Sequence, residues 1–431
     1  MMNRLKTIIS DNAYSFVMTY KNRKIDIAGL RDRLDVRRWV TEDFQYLPET
    51  GNALKTEEYI SVGLLHCEET SYNMIYSLYH AFEKDKRCKP VVILQGKGYK
   101  NQYRELEKQM IKCGMRYEFD YNNTDEKYDI LIVHHIQLPP TEDIKKIINN
   151  STLRVAVPVG VINYGVQSIN PAHLRAYQAT EVFLEQSLYE SRPLDLGEEV
   201  HFHITGNPKF DCIYEAFLRK VTIPQKFDKL NSTKIKKTIL WTTDHKANFL
   251  LCSPDVAFDL YANTVFNYIK EHKDIGLIFR PYRAYIDELL RDGLWTDENV
   301  KFFKKYCDSS ENIVWDDEPD YSVSYSLADA IIADAGCGII CSALPLMKPM
   351  GITVRWDMET SKIISHNQEI IDSQYLISSK EKMLSFIEMV KENGNFDTMK
   401  RKELCKKYVT YFDGEIGKRI KDIIIQEWWK K

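Results

Sequence analysis

The sequence predicts an α/β protein built from two doubly wound parallel sheets. Short apolar runs of strand length alternate with longer stretches of helical spacing, a pattern typical of parallel sheets covered by helices on both faces. The alternation occurs in two series, and the polar segment 222–237 between them is interpreted as an interdomain linker. A chain of 431 residues is long enough for two such domains, each with its own core.

The first series follows a charged, irregular extension, residues 1–57, in which 25–40 is a possible helix. Helical spacing predicts helices over Tyr72–Phe82 and Gln102–Cys113. The apolar runs predict strands at Ser61–Leu65, Pro90–Leu94, Tyr128–Val133, Arg154–Val157, Val182–Leu184 and His203–Ile204.

The second series begins after the linker and includes a helix over Ala257–Glu271. Its strands are predicted at Thr238–Trp241, Gly276–Phe279, Asn312–Trp315, Asp329–Ala333 and Met350–Val354. Everything beyond the last strand is predicted to be helical. The domain boundaries are therefore 1–57 for the basic extension, 58–225 and 235–400 for two Rossmann-like domains, and 401–431 for a C-terminal helical segment.

Composition narrows the class of protein. Hydrophobic residues make up 44% of the chain and charged residues 28%, as in ordinary soluble proteins. A net charge of −3 argues against a nucleic-acid binder. No apolar run reaches the roughly 20 residues of a membrane span, and the N-terminus lacks a signal-peptide core. Nine cysteines without CxxC pairs indicate reduced thiols in a cytoplasmic protein, with no metal site and no cofactor expected.

Both ends of the chain are basic. Residues 1–40 carry nine Lys/Arg against four Asp, and residues 400–431 carry ten against five Asp/Glu. Trp428 and Trp429 lie beside two lysines, a combination that favours an anionic membrane surface. The alternative is a terminal helix that packs its Ile and Trp side chains onto the body, and the two interpretations are compatible.

Polar or glycine residues close most of the predicted strands. Ligands of doubly wound sheets bind beyond the carboxyl ends of the strands. Two such sheets facing across a cleft would bring together His66, His134, His135, Gly160, His245, Arg280 and Asp334.

The most informative segment is ADAIIADAGCGIIC, residues 328–341. An apolar run ends at Asp334, and a turn of small residues leads into another apolar run. This is typical of a buried strand that feeds a helix, whose N-terminal N–H groups attract phosphate. The alternative is that the glycines only make a tight turn.

Five segments occur in an order that resembles a known family: TGNPKFD, TILWTTDHK, LIFRPY, SLADAIIADAGCG and YVTYFDGEIGKRIKDIII. Their order and spacing resemble the CDP-glycerol glycerophosphotransferases of teichoic-acid and capsule assembly, which have the GT-B fold. The likeness extends over about residues 129–425, roughly two thirds of the chain. It implies an acceptor domain at 58–225 and a nucleotide-donor domain at 235–400.

Three positions depart from the family pattern. Val159-Gly160 stands where the family has the His-Gly pair that bears its proposed base, on the acceptor side. Arg280-Pro281-Tyr282 replaces an Arg-Pro-His motif, and Gly336-Cys337 replaces the Ser-Ser pair that would hold donor phosphate. The residues that shape the backbone are kept, whereas side chains that carry chemistry differ.

The resemblance and the chemistry of the residues together give a set of candidate roles. Arg280 is the best cation for donor phosphate, with Gly336, Cys337 and Gly338 as N–H donors. Asp334 is expected to order the turn or bind a hydroxyl, since an anion repels phosphate. In the TGNPKFD turn, Lys209 could approach phosphate, and Gly206 and Asn207 either share that role or shape a domain junction. The candidate acids and bases are His245, His66, Glu68, His134 and His135.

The predicted function is transfer of a glycerol-phosphate-like or sugar unit from a nucleotide-diphosphate donor to a glycan or lipid-linked acceptor. The donor is CDP-glycerol-like or a sugar nucleotide, bound as substrate. The expected location is the cytoplasm, peripherally at the inner face of the plasma membrane. Two alternatives stay open: a nucleotide-sugar GT-B glycosyltransferase of polysaccharide synthesis, and a non-catalytic scaffold in a polymer-synthesis complex.

Overall fold

Two parallel sheets form the framework of the protein in a computed structural model. The residues that the structure describes are 59–66, 72–94, 104–119, 127–133, 142–157, 180–185, 200–244, 257–291, 293–334, 338–354, 369–370, 373–394 and 398–431.

The first sheet has seven strands within the described residues, in the order β3-β2-β1-β4-β5-β6-β7, and all adjacent pairs are parallel. The strands are β1 (Ile60–His66), β2 (Cys88–Leu94), β3 (Tyr117–Phe119), β4 (Ile130–Val133), β5 (Leu153–Ala156), β6 (Val182–Glu185) and β7 (His201–Ile204).

The second sheet has six described strands, in the order β10-β9-β8-β11-β12-β13, again all parallel. The strands are β8 (Lys237–Thr242), β9 (Ile275–Arg280), β10 (Ile313–Trp315), β11 (Ala330–Asp334), β12 (Met350–Thr353) and β13 (Tyr375–Ile377). Strand order reverses direction between β1 and β4 in one sheet and between β8 and β11 in the other. This is the doubly wound topology that the sequence predicts.

Helices connect these strands. Those associated with the first sheet are α1 (Tyr72–Glu83), α2 (Arg104–Lys112), α3 (Glu142–Asn150) and α4 (Lys209–Phe217). Those that follow are α5 (Phe258–Glu271), α6 (Arg283–Arg291), α7 (Asp297–Ser309), α8 (Ser322–Leu327), α9 (Ile339–Ser342), α10 (Lys380–Lys391), α11 (Thr398–Tyr408) and α12 (Ile416–Lys430).

The central strands are buried on both faces, which explains their continuous apolar runs. Every residue of β4 and β11 is buried. In the second sheet, Trp241 packs against Phe258, Phe266 and Phe279, at ring-centroid distances of 5.3 to 5.9 Å. This aromatic core holds β8 and β9 firmly and so fixes where their carboxyl ends lie.

The structure corrects two sequence predictions. The region after Met350–Thr353 is not wholly helical, because Tyr375–Ile377 forms the edge strand β13. The segment 222–237 is not a bare linker, since Gln225–Asn231 forms a 3-10 helix that buries Phe227 and Leu230.

The described residues fall into two compact units. The first unit contains β1–β7, and its described residues lie within 59–218, Glu318–Ser322 and Lys406–Lys431. The second unit contains β8–β13, and its described residues lie within Arg219–Asp317 and Val323–Cys405. The C-terminal helix α12 therefore belongs to the first unit.

Helix α12 is held on the first unit by a buried carboxylate. Asp211 accepts hydrogen bonds from the backbone N–H groups of Ile416 (3.0 Å) and Gly417 (2.7 Å), and from the Ser77 hydroxyl (2.6 Å). A Cβ at Gly417 would lie 2.8 Å from the Ser77 carbonyl oxygen, so only glycine permits this approach to α1. Asp413 accepts from the Glu415 N–H, and the helix itself begins at Ile416.

Candidate functional site

The carboxyl edge of the second sheet is the candidate site. Parallel strands end at the same edge, so the residues that close neighbouring strands lie side by side. Polar residues close or directly follow five adjacent strands: Thr242 and Thr243 on β8, Arg280 on β9, Asp316 after β10, Asp334 on β11 and Thr353 on β12.

The reversal of strand order between β8 and β11 marks the place where ligands of doubly wound sheets bind. In register, Thr242 pairs with Arg280 on one side and with Ala333, the neighbour of Asp334, on the other. Arg280 and Asp334 therefore flank β8, about 10 Å apart by strand spacing. The structure brings these two predicted residues to one edge.

Asp334 is buried and holds the backbone around the switch point. Its carboxylate accepts from the N–H of Asp244 (3.0 Å), the N–H of Ala257 (3.1 Å) and the hydroxyl of Thr353 (2.6 Å). Burial raises the pKa of Asp334 to about 7, although these three donors lower it. Asp334 thus ties β8 and α5 to β11 and β12, and its role in ordering the turn that follows it stays a prediction.

Arg280 is oriented by an ion pair. Its Nη1 lies 2.5 Å from Oδ2 of Asp316, which also accepts from the Ser324 hydroxyl. Lys226 lies 3.1 Å from Oδ1 of the same carboxylate. The Asp316 side chain is 1% exposed, whereas that of Arg280 is 17% exposed, so the guanidinium reaches the surface from a buried base.

The charges beside Asp316 decide its ionisation. Burial alone would raise the pKa of this carboxyl, but the charges of Arg280 and Lys226 and the bond from Ser324 bring it below its usual range. Asp317 beside it pairs with Lys304 (2.5 Å) and Lys226 (3.4 Å). We call Arg280, Lys226, Lys304, Asp316, Asp317 and Ser324 the Asp316 cluster.

Backbone groups complete this edge. The Thr243 hydroxyl oxygen accepts from the Tyr282 N–H at 3.0 Å, which fixes the turn after β9 against β8. Gly338 precedes the four-residue helix α9 with φ −61°, and a Cβ placed there would meet nothing within 4 Å. The backbone therefore does not require glycine at 338.

The TGNPKFD turn lies in the first unit, apart from these strand ends in sequence and in sheet. Gly206 has φ +84° and packs against Tyr411 and Ile416, while buried Asn207 accepts from the Lys209 N–H (2.9 Å). Arg419 stacks on the Tyr411 ring with its guanidinium carbon 3.8 Å from the ring centroid. The turn thus forms the seat of α12, and donor binding by Gly206, Asn207 and Lys209 stays a prediction.

His66 closes β1 and is fully buried. The remaining predicted site residues lie outside the part of the chain that the structure describes: Glu68, His134, His135, Val159, Gly160, His245, Gly336 and Cys337. Their roles in catalysis, on the acceptor side and at the donor turn stay predictions.

Sequence reasoning missed Asp316 and Lys226. Asp316 follows a predicted strand just as Asp334 closes one, so the rule that selected the other strand ends would have found it. Lys226 carried no such signal, because it lies in the segment interpreted as a linker. Within the described residues, no group of three or more His, Cys, Asp or Glu side chains could hold a metal ion. None of the described helices has the length and apolar character needed to cross a membrane.

Comparison with family models gives no match, and neither does comparison with curated proteins. Solved structures do match. The wall teichoic acid polymerase TagF, in a structure with CDPG, is similar over 97% of this chain and 98% of its own, with TM-score 0.57 and 12% identity. The S. aureus MnaA–UDP co-structure matches 85% of this chain and 96% of its own, with TM-score 0.57 and 15% identity.

A third match is UDP-GlcNAc 2-epimerase from Neisseria meningitidis bound to UDP-GlcNAc, with TM-score 0.55 and 12% identity over 86% of this chain and 100% of that one. At these identities the likeness establishes the fold. Two Rossmann-like α/β units are shared by this chain and by all three proteins.

Proposed function

We propose that the protein is a GT-B-type transferase that binds a nucleotide-diphosphate donor at the carboxyl edge of its second sheet. The observation that carries this proposal is Arg280, held at the end of β9 beside the β8–β11 switch point. A fixed guanidinium beside that point suits a diphosphate, whose charge must be compensated as the leaving group departs. CDPG, UDP and UDP-GlcNAc, the ligands in the structures of the three neighbours, belong to this chemical class.

The reaction favoured is transfer of a polyol phosphate from a CDP-glycerol-like donor. An acceptor hydroxyl oxygen would bond to the distal phosphorus while the bond from that phosphorus to the CMP oxygen breaks. The hydroxyl proton would pass to a base, for which His245, His66, His134, His135 and Glu68 are the candidates from sequence. Arg280 would stabilise the negative charge that gathers on CMP. The likeness to TagF over 97% of the chain supports this version.

The second candidate is sugar transfer or another reaction of a sugar nucleotide. Two of the three structural neighbours described above carry UDP or UDP-GlcNAc, with TM-scores close to that of TagF. Val159 in place of the family's histidine also favours a departure from phosphodiester chemistry.

Calorimetric titration of the purified full chain with CDP-glycerol, CDP-ribitol, UDP-GlcNAc and CMP tests the proposal. We expect micromolar to millimolar binding of one donor class, weakened at least tenfold in Arg280→Met because a charged hydrogen bond to phosphate is lost. Lys304→Met is the matched control, since it removes a more exposed cation from the same region. Absence of binding by every nucleotide would contradict the proposal and favour the non-catalytic scaffold.

Product analysis separates the two reactions. A phosphodiester linkage in the product identifies polyol phosphate transfer, and a glycosidic linkage identifies sugar transfer. The assay uses the wild-type enzyme, a lipid-linked acceptor and the donor that binds in the titration, and the linkage in the product is then determined.

Peripheral contact with an anionic membrane is a further part of the proposed function. Trp429 is 52% exposed at the end of α12, next to Lys430 and Lys431, whereas Trp428 is 4% exposed and packs inward. Trp429 is therefore the tryptophan available to a lipid surface. Flotation with phosphatidylglycerol vesicles should fall in Trp429→Ala and be unchanged in Ile111→Ala, a control that removes another exposed apolar side chain. Equal flotation of the wild type and Trp429→Ala would exclude Trp429 as the contact.

A further inference from the structure

The Asp316 cluster contains a side chain that the proposed donor site does not itself require. Asp316 directly follows β10, and its N–H donates to the Phe279 carbonyl at 2.9 Å. This bond continues the β9–β10 register, in which Trp315 pairs with Phe279. The backbone therefore fixes the Asp316 carboxylate beside Arg280, the next residue of β9.

A buried carboxylate is costly unless it is well paired. The pairing here is dense, because Arg280, Lys226 and Ser324 all direct donors at the two oxygens of Asp316. A packed apolar residue often gives the same or greater stability than a buried ion pair. The carboxylate therefore calls for an explanation beyond stability.

The effect on Arg280 supplies that explanation. A long side chain loses rotamer entropy when a ligand immobilises it, which weakens binding. The bond to buried Asp316 restricts that freedom before any ligand arrives. The Arg280 side chain is 17% exposed, so it is anchored at one side and accessible at the other.

The charge balance of the cluster favours an anionic ligand. Two cations, Arg280 and Lys226, contact the Asp316 carboxylate, so this carboxylate does not cancel the charge of both. Lys226 is placed by the 3-10 helix Gln225–Asn231, whose Phe227 and Leu230 are buried. Because Lys226 also pairs with Asp316, the carboxylate stays ionised without neutralising the whole charge of Arg280.

We propose that Asp316 is a positioning residue that orients Arg280 toward the phosphates of the nucleotide-linked donor, with Lys226 as its charge partner. The inference rests on the proposed function. The opposite hypothesis is that Asp316 competes with phosphate for Arg280 and so weakens donor binding.

The two possibilities differ in sign. Replacing Asp316 by the isosteric Asn removes a negative charge, which by electrostatics alone tightens phosphate binding. If Asp316 positions Arg280, the loss of orientation outweighs this gain and binding weakens. We expect the dissociation constant of CMP to rise about tenfold in Asp316→Asn, the scale of one charged hydrogen bond.

Cytidine is the probe that separates positioning from general damage, since it carries no phosphate. Calorimetry on the full chain should show cytidine affinity unchanged in Asp316→Asn while CMP affinity falls. In the double variant Asp316→Asn/Arg280→Met, CMP should bind no more weakly than in Arg280→Met alone, because Asp316 acts through Arg280. Asp317→Asn, which removes the neighbouring carboxylate, should change CMP affinity less than threefold.

Tighter or unchanged CMP binding in Asp316→Asn would overturn the inference, as would equal losses for CMP and cytidine. Should Asp316→Asn fail to fold, Ser324→Ala makes the milder test. It removes one hydrogen bond to the same oxygen and should weaken CMP but not cytidine. Failure of the wild type to bind any nucleotide would instead defeat the proposed function, so the two failures are distinguishable.

Discussion

Asp316 and Asp334 lie at the same edge of the second sheet and are both buried, yet their pKa values are shifted in opposite directions. Each accepts from a hydroxyl, that of Ser324 or of Thr353. Asp316 has in addition two cations, whereas Asp334 has two backbone N–H groups. The pKa of Asp316 is lowered and that of Asp334 rises to about 7. At this edge the charges of neighbouring cations outweigh the effect of burial on the pKa of a carboxyl group, whereas hydrogen bonds from backbone N–H groups do not.

A third aspartate repeats the pattern in the other unit. Asp211 accepts from two backbone N–H groups and the Ser77 hydroxyl, the same kinds of donor as Asp334. Burial raises its pKa too, against the effect of those donors. The donor set, and not the position in a particular sheet, accounts for the direction.

Among the substitutions around these two aspartates, removal of a cation beside Asp316 should have the largest effect on the free energy of unfolding. Arg280→Met removes one cation from the buried Asp316 carboxylate, and we expect a loss of about 3 kcal/mol in the free energy of unfolding. Urea denaturation at pH 7.5 measures it. The control Lys304→Met breaks a more exposed pair and should cost less than about 1 kcal/mol. Equal losses in the two variants would mean that burial does not distinguish the pairs.

Asp334→Asn should remove a pH dependence. Because the pKa of Asp334 in the folded protein, about 7, lies above its ordinary value of 3.8, its contribution is complete below pH 4 and is lost as pH rises toward 7. We expect the wild type to lose about 2 to 4 kcal/mol more than Asp334→Asn between pH 5 and pH 8.

Urea unfolding of both proteins across that interval provides the measurement. Asp211, in the other unit, is present in both proteins and cancels in the difference. Parallel stability curves for the two proteins would show that Asp334 does not titrate there.

The hydroxyl groups should matter less and in the same direction at both sites. Ser324→Ala and Thr353→Val each remove a hydrogen bond that lowers the pKa of the neighbouring carboxyl, at a cost of about 1 kcal/mol. Acid unfolding should then begin at a higher pH in Ser324→Ala, because Asp316 protonates more readily. An unchanged acid transition would assign the charge of Asp316 wholly to its cations.

Gly338→Ala is the smallest change and separates structure from binding at this edge. Open space around Gly338 predicts a change in unfolding free energy of less than about 0.5 kcal/mol. Chemical denaturation measures this, and calorimetry with CMP should show weaker binding if a phosphate approaches the backbone there. A large loss of stability would show that the glycine has a structural task.

The fold could be predicted because interior strands of a parallel sheet are continuous apolar runs, as Ala330–Asp334 and Ile130–Val133 are. The edge strands Tyr117–Phe119 and Tyr375–Ile377 escaped prediction, since two half-buried residues and one buried residue leave no such run. The start of the last helix also depends on a distant residue, since its first N–H groups bond to Asp211, some two hundred residues earlier.

The site was predictable to the same degree. Strand ends that share an edge can be found from the strands alone, which identified Arg280 and Asp334. The same rule applies to Asp316, which directly follows β10, but it cannot find Lys226, because Lys226 meets Asp316 only through tertiary packing. The sequence therefore located the edge of the sheet, and the contacts in the structure showed which charged side chains at that edge form ion pairs within the protein.

The hydrogen bonds from the start of α12 to Asp211 also affect the order in which parts of the protein can fold during synthesis. The first unit needs Lys406–Lys431, yet the ribosome makes Arg219–Cys405 before that segment appears. At about 5 to 20 residues per second, the sheet of the first unit waits on the order of ten seconds or more for its last helix. Throughout that interval α12 is not present to cover the surface of α1 around Ser77, and Asp211 lacks the two N–H donors that α12 supplies.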